Sequence, residues 1–293
     1  MTADGFERVV WLEPAARGGN AGQAQPVTLA VRHRALPAAG QVAGGGGGSA
    51  QLIVRSAPEL PAATLRRAIT RMFDLDADLR EFAAIAKQDS VLGPVVGANP
   101  PGLRLLQLLD PFEALMRAIL GQQVSVAAAS TMTDRLVRLA AIPAPRLPPE
   151  DIIPLMRPRY AFPRPDAIAG LGPARLRTIG LTRAKAAAVC GAAVVVANGD
   201  LNLSSLRRAP PEEADRQLLS LPGVGPWTAA YVRLRALGDR DAFPASDLGL
   251  VRALAARGVR RSEVQATAER WRPWRGYATL HLWHSLHRSD DDE

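Results

Sequence analysis

A chain of 293 residues, 47% of them hydrophobic, is long enough for one large domain or two to three smaller ones. It has no run of about 18 uncharged apolar residues, and its start, "MTADGFERVVWLEP", lacks the basic-then-apolar order of a secretory signal; a soluble cytoplasmic protein with no membrane partner is therefore expected. The net charge of +8 suits a polyanionic partner, and the single cysteine, Cys190, excludes an internal disulfide, a four-cysteine iron–sulfur cluster and a cysteine-rich zinc site.

The first hundred residues differ from the rest. "RVVWLEP", "PVTLAVRHR" and "AQLIVRS" are short β-branched runs of roughly alternating character and predict strands. The glycine-rich stretch 43–50, "AGGGGGSA", has no phosphate-cradling pattern and reads as a flexible loop or linker. "PAATLRRAITRMFDL" predicts an amphipathic helix. A small α+β domain over 1–100 follows.

From residue 101 to 288 the pattern is helical. "DPFEALMRAILGQQVSVAAASTMTDRLVRLA" opens with Asp110 at a capping position, Pro111 at the first helical position and Glu113 in capping-box spacing. "PDAIAGL", "GPARLRTIG", "LTRAKAAAVCGAAVVVANG" and "EEADRQLLSL" are further helices punctuated by Gly and Pro. "GPWTAAYVRLRALG", "SDLGLVRALAARG" and "RSEVQATAERWRPWRGYATLHLWHSLHR" follow, and residues 289–293 form an acidic tail. The fold class is thus α+β: a small sheet-and-helix domain, then an all-α region. Three of the four histidines sit in "LHLWHSLHR" without neighbouring cysteines or spaced carboxylates, which argues against a metal site there.

The most informative stretch is "LPGVGPWTAAYVR", residues 221–233. It joins two helices through a turn whose glycines, Gly223 and Gly225, permit positive φ and close backbone approach. With the N–H groups of Val224, Gly225 and the helix start turned outward, the hairpin becomes an anion grip that holds one DNA phosphate without reading sequence; otherwise it is an ordinary turn between helices. Downstream, Asp247 in "DAFPASDLGLVRAL" suits a helix N-cap, and a helix N-terminus favours negative charge. Trp227 and Tyr231, four apart, share a helix face and can stack on a base or pack in a core. Trp271, Trp274 and Tyr277 read as structural.

This combination resembles the helix-hairpin-helix DNA glycosylase superfamily, and within it the DNA-3-methyladenine glycosylase II (AlkA) type. "LPGVGPWTAAYVRLRALGDRDAFPASDLGL" is similar to its hairpin, Gly/Pro-rich loop and aspartate signature. "FEALMRAILGQQVSVAAA", "FPRPDAIA", "IGLTRAKAAAV" and "AERWRPWRGYATLHLWHSL" match in order, covering about residues 105–288. The resemblance implies two helical subdomains flanking an active-site cleft, with Asp247 as the catalytic aspartate. Trp227, Tyr231, Trp283 and Gln122 would line the base pocket; Gly223, Val224, Gly225, Gln123 and Thr228 would face DNA. The carbonyls of Leu219, Leu221 and Val224 would hold a monovalent cation, with no cofactor required. Two positions depart from the family pattern: Gln123 stands where a wedge leucine is common, and Leu248 where tyrosine often follows the aspartate.

The implied partner is double-stranded DNA carrying alkylated bases, acted on by a monomer. A flipped, cationic base would stack on aromatic faces while an ionised carboxylate steadies the oxocarbenium-like sugar. Relatives that also cut the strand use a lysine amine where Trp227 stands, and this chain has only two lysines, Lys87 and Lys185. Lys185 reads as a phosphate or surface contact. Simple hydrolysis of the base is expected, with a related glycosylase for hypoxanthine or uracil, or a non-catalytic DNA-binding protein, as alternatives.

Overall fold

The computed structural model describes residues 6–12, 24–35, 50–148 and 160–289. Residues 43–49 of the glycine-rich stretch and 290–293 of the acidic tail lie outside them. The chain divides into two compact units, Met1–Ala68 with Val137–Pro163, and Ile69–Leu136 with Arg164–Glu293.

The first unit holds an antiparallel sheet of β1 (Phe6–Leu12), β2 (Gln25–Ala35) and β3 (Ala50–Ala57), in that order. Register pairs Val9 with Thr28 and Ala30 with Arg55. The central strand buries five consecutive residues, Val27 to Val31, because neighbours lie on both its edges and cover lies on both its faces. Part of that cover comes from the distant proline-rich segment: Trp11 Nε1 donates to the Phe162 carbonyl at 2.7 Å, the Thr28 hydroxyl donates to the Pro145 carbonyl, and Leu147 packs on Ala30 and Ala57.

Twelve helices are described: α1 (Ala62–Met72), α2 (Arg80–Gln88), α3 (Leu92–Ala98), α4 (Pro111–Gly121), α5 (Val126–Ala140), α6 (Pro165–Arg177), α7 (Arg183–Ala197), α8 (Pro211–Leu219), α9 (Pro226–Val232), α10 (Leu248–Ala255), α11 (Val264–Ala268) and α12 (Arg275–Ser289). The class expected from sequence, a small N-terminal sheet followed by helices, is what is found. The boundary drawn at residue 100 instead falls inside the second unit. Its cause is packing: Phe82 and Ala86 of α2 and Leu92 and Val95 of α3 share one core with Trp271, Trp274 and Tyr277. Asp74 reinforces this join, accepting from Arg240 at 2.6 and 2.9 Å and from the Tyr277 hydroxyl at 2.8 Å. Asn99 Nδ2 donates to the carbonyl (2.9 Å) and Nδ1 (3.1 Å) of buried His281, and burial pushes that imidazole's pKa down to about 4.

α4 is the buried axis of the second unit. Asp110 and Pro111 take the places read from sequence, Asp110 accepting from the Phe112 N–H at 2.8 Å with Pro111 at the first position, while the Glu113 carboxylate accepts from Arg117 Nε at 2.7 Å. Burial, and then the charge of Glu113, raises the Asp110 carboxyl's pKa to about 6. The helix does not run on into α5. It stops at Gln122, and the chain crosses a short loop in which Gln123 adopts φ 56° before Ser125 Oγ accepts from Ala128 N–H to start α5. α6 keeps the break read between "PDAIAGL" and "GPARLRTIG", with Gly172 at φ 67° ahead of Pro173. The helix opened by Trp227 widens after Val232 into a π-helical turn, Arg233–Leu237, closed by Gly238 at φ 81°.

Candidate active site

The hairpin consists of α8, a turn through residues 220–225, and α9. Its two glycines are not equivalent. Gly223 has φ 78°, and a Cβ there would lie 2.6 Å from the Ala188 Cβ of α7, so both conformation and space demand glycine. Gly225 is extended, with φ −106° and ψ −179°, and an added Cβ would meet nothing within 4 Å. Positive φ is therefore required only at Gly223. The amide of Val224 does not turn outward either. It donates to the Leu221 carbonyl at 3.1 Å, closing the turn, and the Val224 side chain is buried. The N–H groups of Gly225, Trp227 and Thr228 lie at a helix start with no side-chain cap.

Gln122, at the end of α4, is the latch of this hairpin. Its Nε2 donates to the Gly223 carbonyl at 2.8 Å and to Thr228 Oγ1 at 2.9 Å. Thr228 is buried, so its side chain is not presented to a partner at the surface. Gln123, one residue on, is exposed. Lys185 is not a free surface amine: its Nζ donates to the Leu120 carbonyl at 2.8 Å, and desolvation lowers its pKa.

Two of the residues singled out from sequence donate to the carboxylate of a third, and a fourth packs against both donors. Asp247 caps α10, its Oδ1 accepting from the Leu250 N–H at 2.9 Å. The indole of Trp227, from the first turn of α9, donates Nε1–H to Oδ2 at 3.0 Å. The indole of Trp283, from α12, donates Nε1–H to Oδ1 at 2.9 Å. Tyr231 stacks on Trp227 with centroids 5.4 Å apart and meets Trp283 at 6.5 Å. The guanidinium carbon of Arg235 lies 6.0 Å from the Tyr231 ring centre. Leu248, next to the carboxylate, is 65% exposed.

The helical spacing of Trp227 and Tyr231 was readable from sequence, whereas the two indole bonds to Asp247 were not. The only signal for them was the residue type, since an indole N–H needs an acceptor when buried. By contrast, Trp271, Trp274 and Tyr277 are buried in the core, as read from sequence. Among the described residues no group of His, Cys, Asp and Glu could hold a metal ion, and no helix is long and apolar enough to cross a membrane.

Comparisons with known proteins agree with the resemblance carried by the hairpin and aspartate. A family model described as "HhH-GPD superfamily base excision DNA repair protein" matches residues 116–275. The chain is 38% identical over 244 residues to the "Probable bifunctional transcriptional activator/DNA repair enzyme AlkA" of Mycobacterium tuberculosis, over 80% of this chain and 45% of that protein. It thus spans less than half the length of that relative. It is 33% identical over 225 residues to "DNA-3-methyladenine glycosylase" of Bacillus subtilis, over 75% of this chain and 71% of the relative. The solved "3-methyladenine dna-glycosylase from Archaeoglobus fulgidus" has the same fold, with TM-score 0.71 and 23% identity, over 94% of this chain and 85% of that one.

Proposed function

Since the chain belongs to the HhH-GPD superfamily of base excision DNA repair proteins, we propose that it excises alkylated bases such as 3-methyladenine and 7-methylguanine from duplex DNA by hydrolysis alone. The observation that carries this reading is the carboxylate of Asp247 held between the indoles of Trp227 and Trp283, with Tyr231 packed against both.

The chemistry follows from those groups. A base inside the duplex is out of reach and has to be turned out of the stack. Alkylation at a ring nitrogen makes the base cationic, and a cation over a tryptophan face gains about 0.5–2 kcal/mol. The glycosidic C1′–N bond breaks with its electron pair leaving on the base, which becomes neutral. C1′ then carries the positive charge, and Asp247 stabilises it electrostatically. Water forms the new C1′–O bond and gives its proton to the carboxylate, so the products are free base and an abasic sugar. No external acid is needed, because the leaving group departs already activated.

Strand cleavage is not part of this reading. A Schiff base needs an amine at the sugar, and the position where lyases of this superfamily carry lysine holds Trp227. Lys185 is bonded to the Leu120 carbonyl and Lys87 is exposed on α2. DNA is held by the N–H groups of the hairpin, a contact that positions without reading sequence.

The hairpin carbonyls also suit a monovalent cation. Leu221 O accepts from the Val224 N–H, whereas no donor among the described residues reaches the carbonyls of Leu219 and Val224. Neutral oxygens of this kind would hold the ion, which would add positive charge beside a phosphate. The enzyme acts as a monomer.

The test is base release from duplexes carrying 3-methyladenine, 7-methylguanine, hypoxanthine or uracil, wild type beside Asp247→Asn. Release of the two methylated bases is expected to fall by about a hundredfold or more in the variant, the scale set by loss of a transition-state charge partner. Unchanged release would overturn the assignment of Asp247, and a borohydride-trapped covalent adduct would overturn the hydrolysis-only reading.

A further inference from the structure

A carboxylate offers about four acceptor directions, two on each oxygen. At Asp247 three are filled. Oδ1 takes the Leu250 N–H and the Trp283 indole, both at 2.9 Å, and Oδ2 takes the Trp227 indole at 3.0 Å. One direction remains, on Oδ2. We propose that Trp227 and Trp283 are positioning residues that clamp the carboxylate through their N–H groups, and that the open lone pair of Oδ2 is the one that meets the sugar and its attacking water. This rests on the reading of Asp247 as the carboxylate that serves the reaction.

Three features of the site fit a clamp better than incidental packing. The two donors come from α9 and α12 and the carboxylate from the start of α10, so three separate elements meet at one group. Tyr231 contacts both indoles and braces them against swinging away. Gly249 leaves room beside the carboxylate itself. A Cβ there would lie 3.2 Å from Asp247 Oδ1, 3.3 Å from Leu286 Cδ1 and 3.5 Å from Trp283 Cδ1.

The choice of donor also suits the task. Asp247 has no ion pair with Lys, Arg or His among the described residues. Neutral N–H donors fix a carboxylate's orientation while leaving its full negative charge for a cation that forms later. An indole N–H lies in the ring plane, so the same tryptophan can hold the carboxylate by its edge and offer a face to a base. Base stacking and carboxylate aim are then coupled through single side chains.

The experiment is a double-mutant cycle read by single-turnover release of 7-methylguanine at saturating enzyme. Trp227→Phe and Trp283→Phe are made alone and with Asp247→Asn. Alone, Trp227→Phe is expected to slow release by about 10- to 100-fold, the range for a hydrogen bond to a charged group. Trp283→Phe is expected to cost less, because the Leu250 N–H still holds Oδ1. Half-saturation by DNA should move less than the rate. In the Asp247→Asn background each substitution should change the residual rate by no more than about twofold, the limit for groups that act only through the missing partner. As a second variant that keeps ring size and faces, Trp227 is replaced by its benzothiophene isostere, with sulfur for N–H; it should reproduce the loss seen with phenylalanine. Penalties that persist undiminished beside Asp247→Asn, that appear only in half-saturation, or that vanish with the isostere would overturn the clamp. Failure of Asp247→Asn to slow release would instead overturn the catalytic reading beneath it.

Discussion

Gly223 and Gly225 look alike in "PGVG", but substitution should separate them sharply. At Gly223 an alanine meets two penalties. Its backbone sits at φ 78°, where a Cβ costs about 1–2 kcal/mol. Its Cβ would also lie 2.6 Å from the Ala188 Cβ, about 1 Å short of ordinary carbon contact. Relieving that overlap means moving the turn off α7, which adds about 1–3 kcal/mol. The sum, about 2–5 kcal/mol, corresponds to a loss of roughly 3–8 °C in Tm for a chain of this size. At Gly225 neither penalty exists, and Gly225→Ala should hold Tm or raise it slightly by restricting the unfolded chain. Thermal unfolding by circular dichroism gives Tm, and fluorescence anisotropy with a labelled duplex gives DNA affinity. Gly223→Ala should lose both. Gly225→Ala should keep its Tm; a selective loss of affinity there would mean that the glycine serves close approach of the DNA backbone. Equal Tm values for the two variants would refute the steric reasoning.

Two further outcomes are expected. Gly249→Ala should slow base release by roughly tenfold with little change in Tm, because its methyl intrudes by a few tenths of an ångström on Asp247 Oδ1 and on Leu286 Cδ1; an unchanged single-turnover rate would count against tight carboxylate placement. Two buried groups of opposite sign contribute to stability between pH 7 and 4. His281, its pKa lowered from 6.5 to about 4, stays neutral in the fold while the unfolded chain takes up a proton, so stability falls as pH drops from 6.5 towards 4. Asp110, raised from 3.8 to about 6, takes up its proton first in the folded state, so stability rises as pH drops from 6 towards 4. Each contribution is about 2–3 kcal/mol and they largely cancel in the wild type. Tm measured from pH 7 to 4 should therefore fall in Asp110→Asn and rise in His281→Gln; slopes of the same sign in both would refute the assignment.

What was legible in the sequence was mostly local. The Asp110–Pro111 start of α4 depends on neighbours two residues apart, and the strands depend on runs of branched side chains. The hairpin glycines and the i, i+4 pair Trp227 and Tyr231 carry their meaning in spacing alone. What was not legible depends on partners far along the chain. Gln122 meets Gly223 across about a hundred positions, and nothing in "LGQ" says that its amide will latch a turn. The proline-rich segment 137–163 has no periodicity to announce that its carbonyls will receive Trp11 and Thr28. Helix α2 is amphipathic, but its pattern does not say which core its apolar face joins.

The candidate site shows the same division in a more useful form. Each of Trp227, Tyr231, Trp283 and Asp247 could be named from a motif, and the motif assigned the aromatics to the base and the aspartate to the sugar. The structure joins those two assignments, because the N–H edges of the two indoles end on the carboxylate. On the proposed reading, a substitution at Trp227 or Trp283 perturbs two functions through one side chain. Loss of activity in a tryptophan-to-alanine variant would not distinguish stacking from aim. Removing only the N–H while keeping the ring does, and for this pocket the hydrogen atom on each indole nitrogen is the more informative thing to delete.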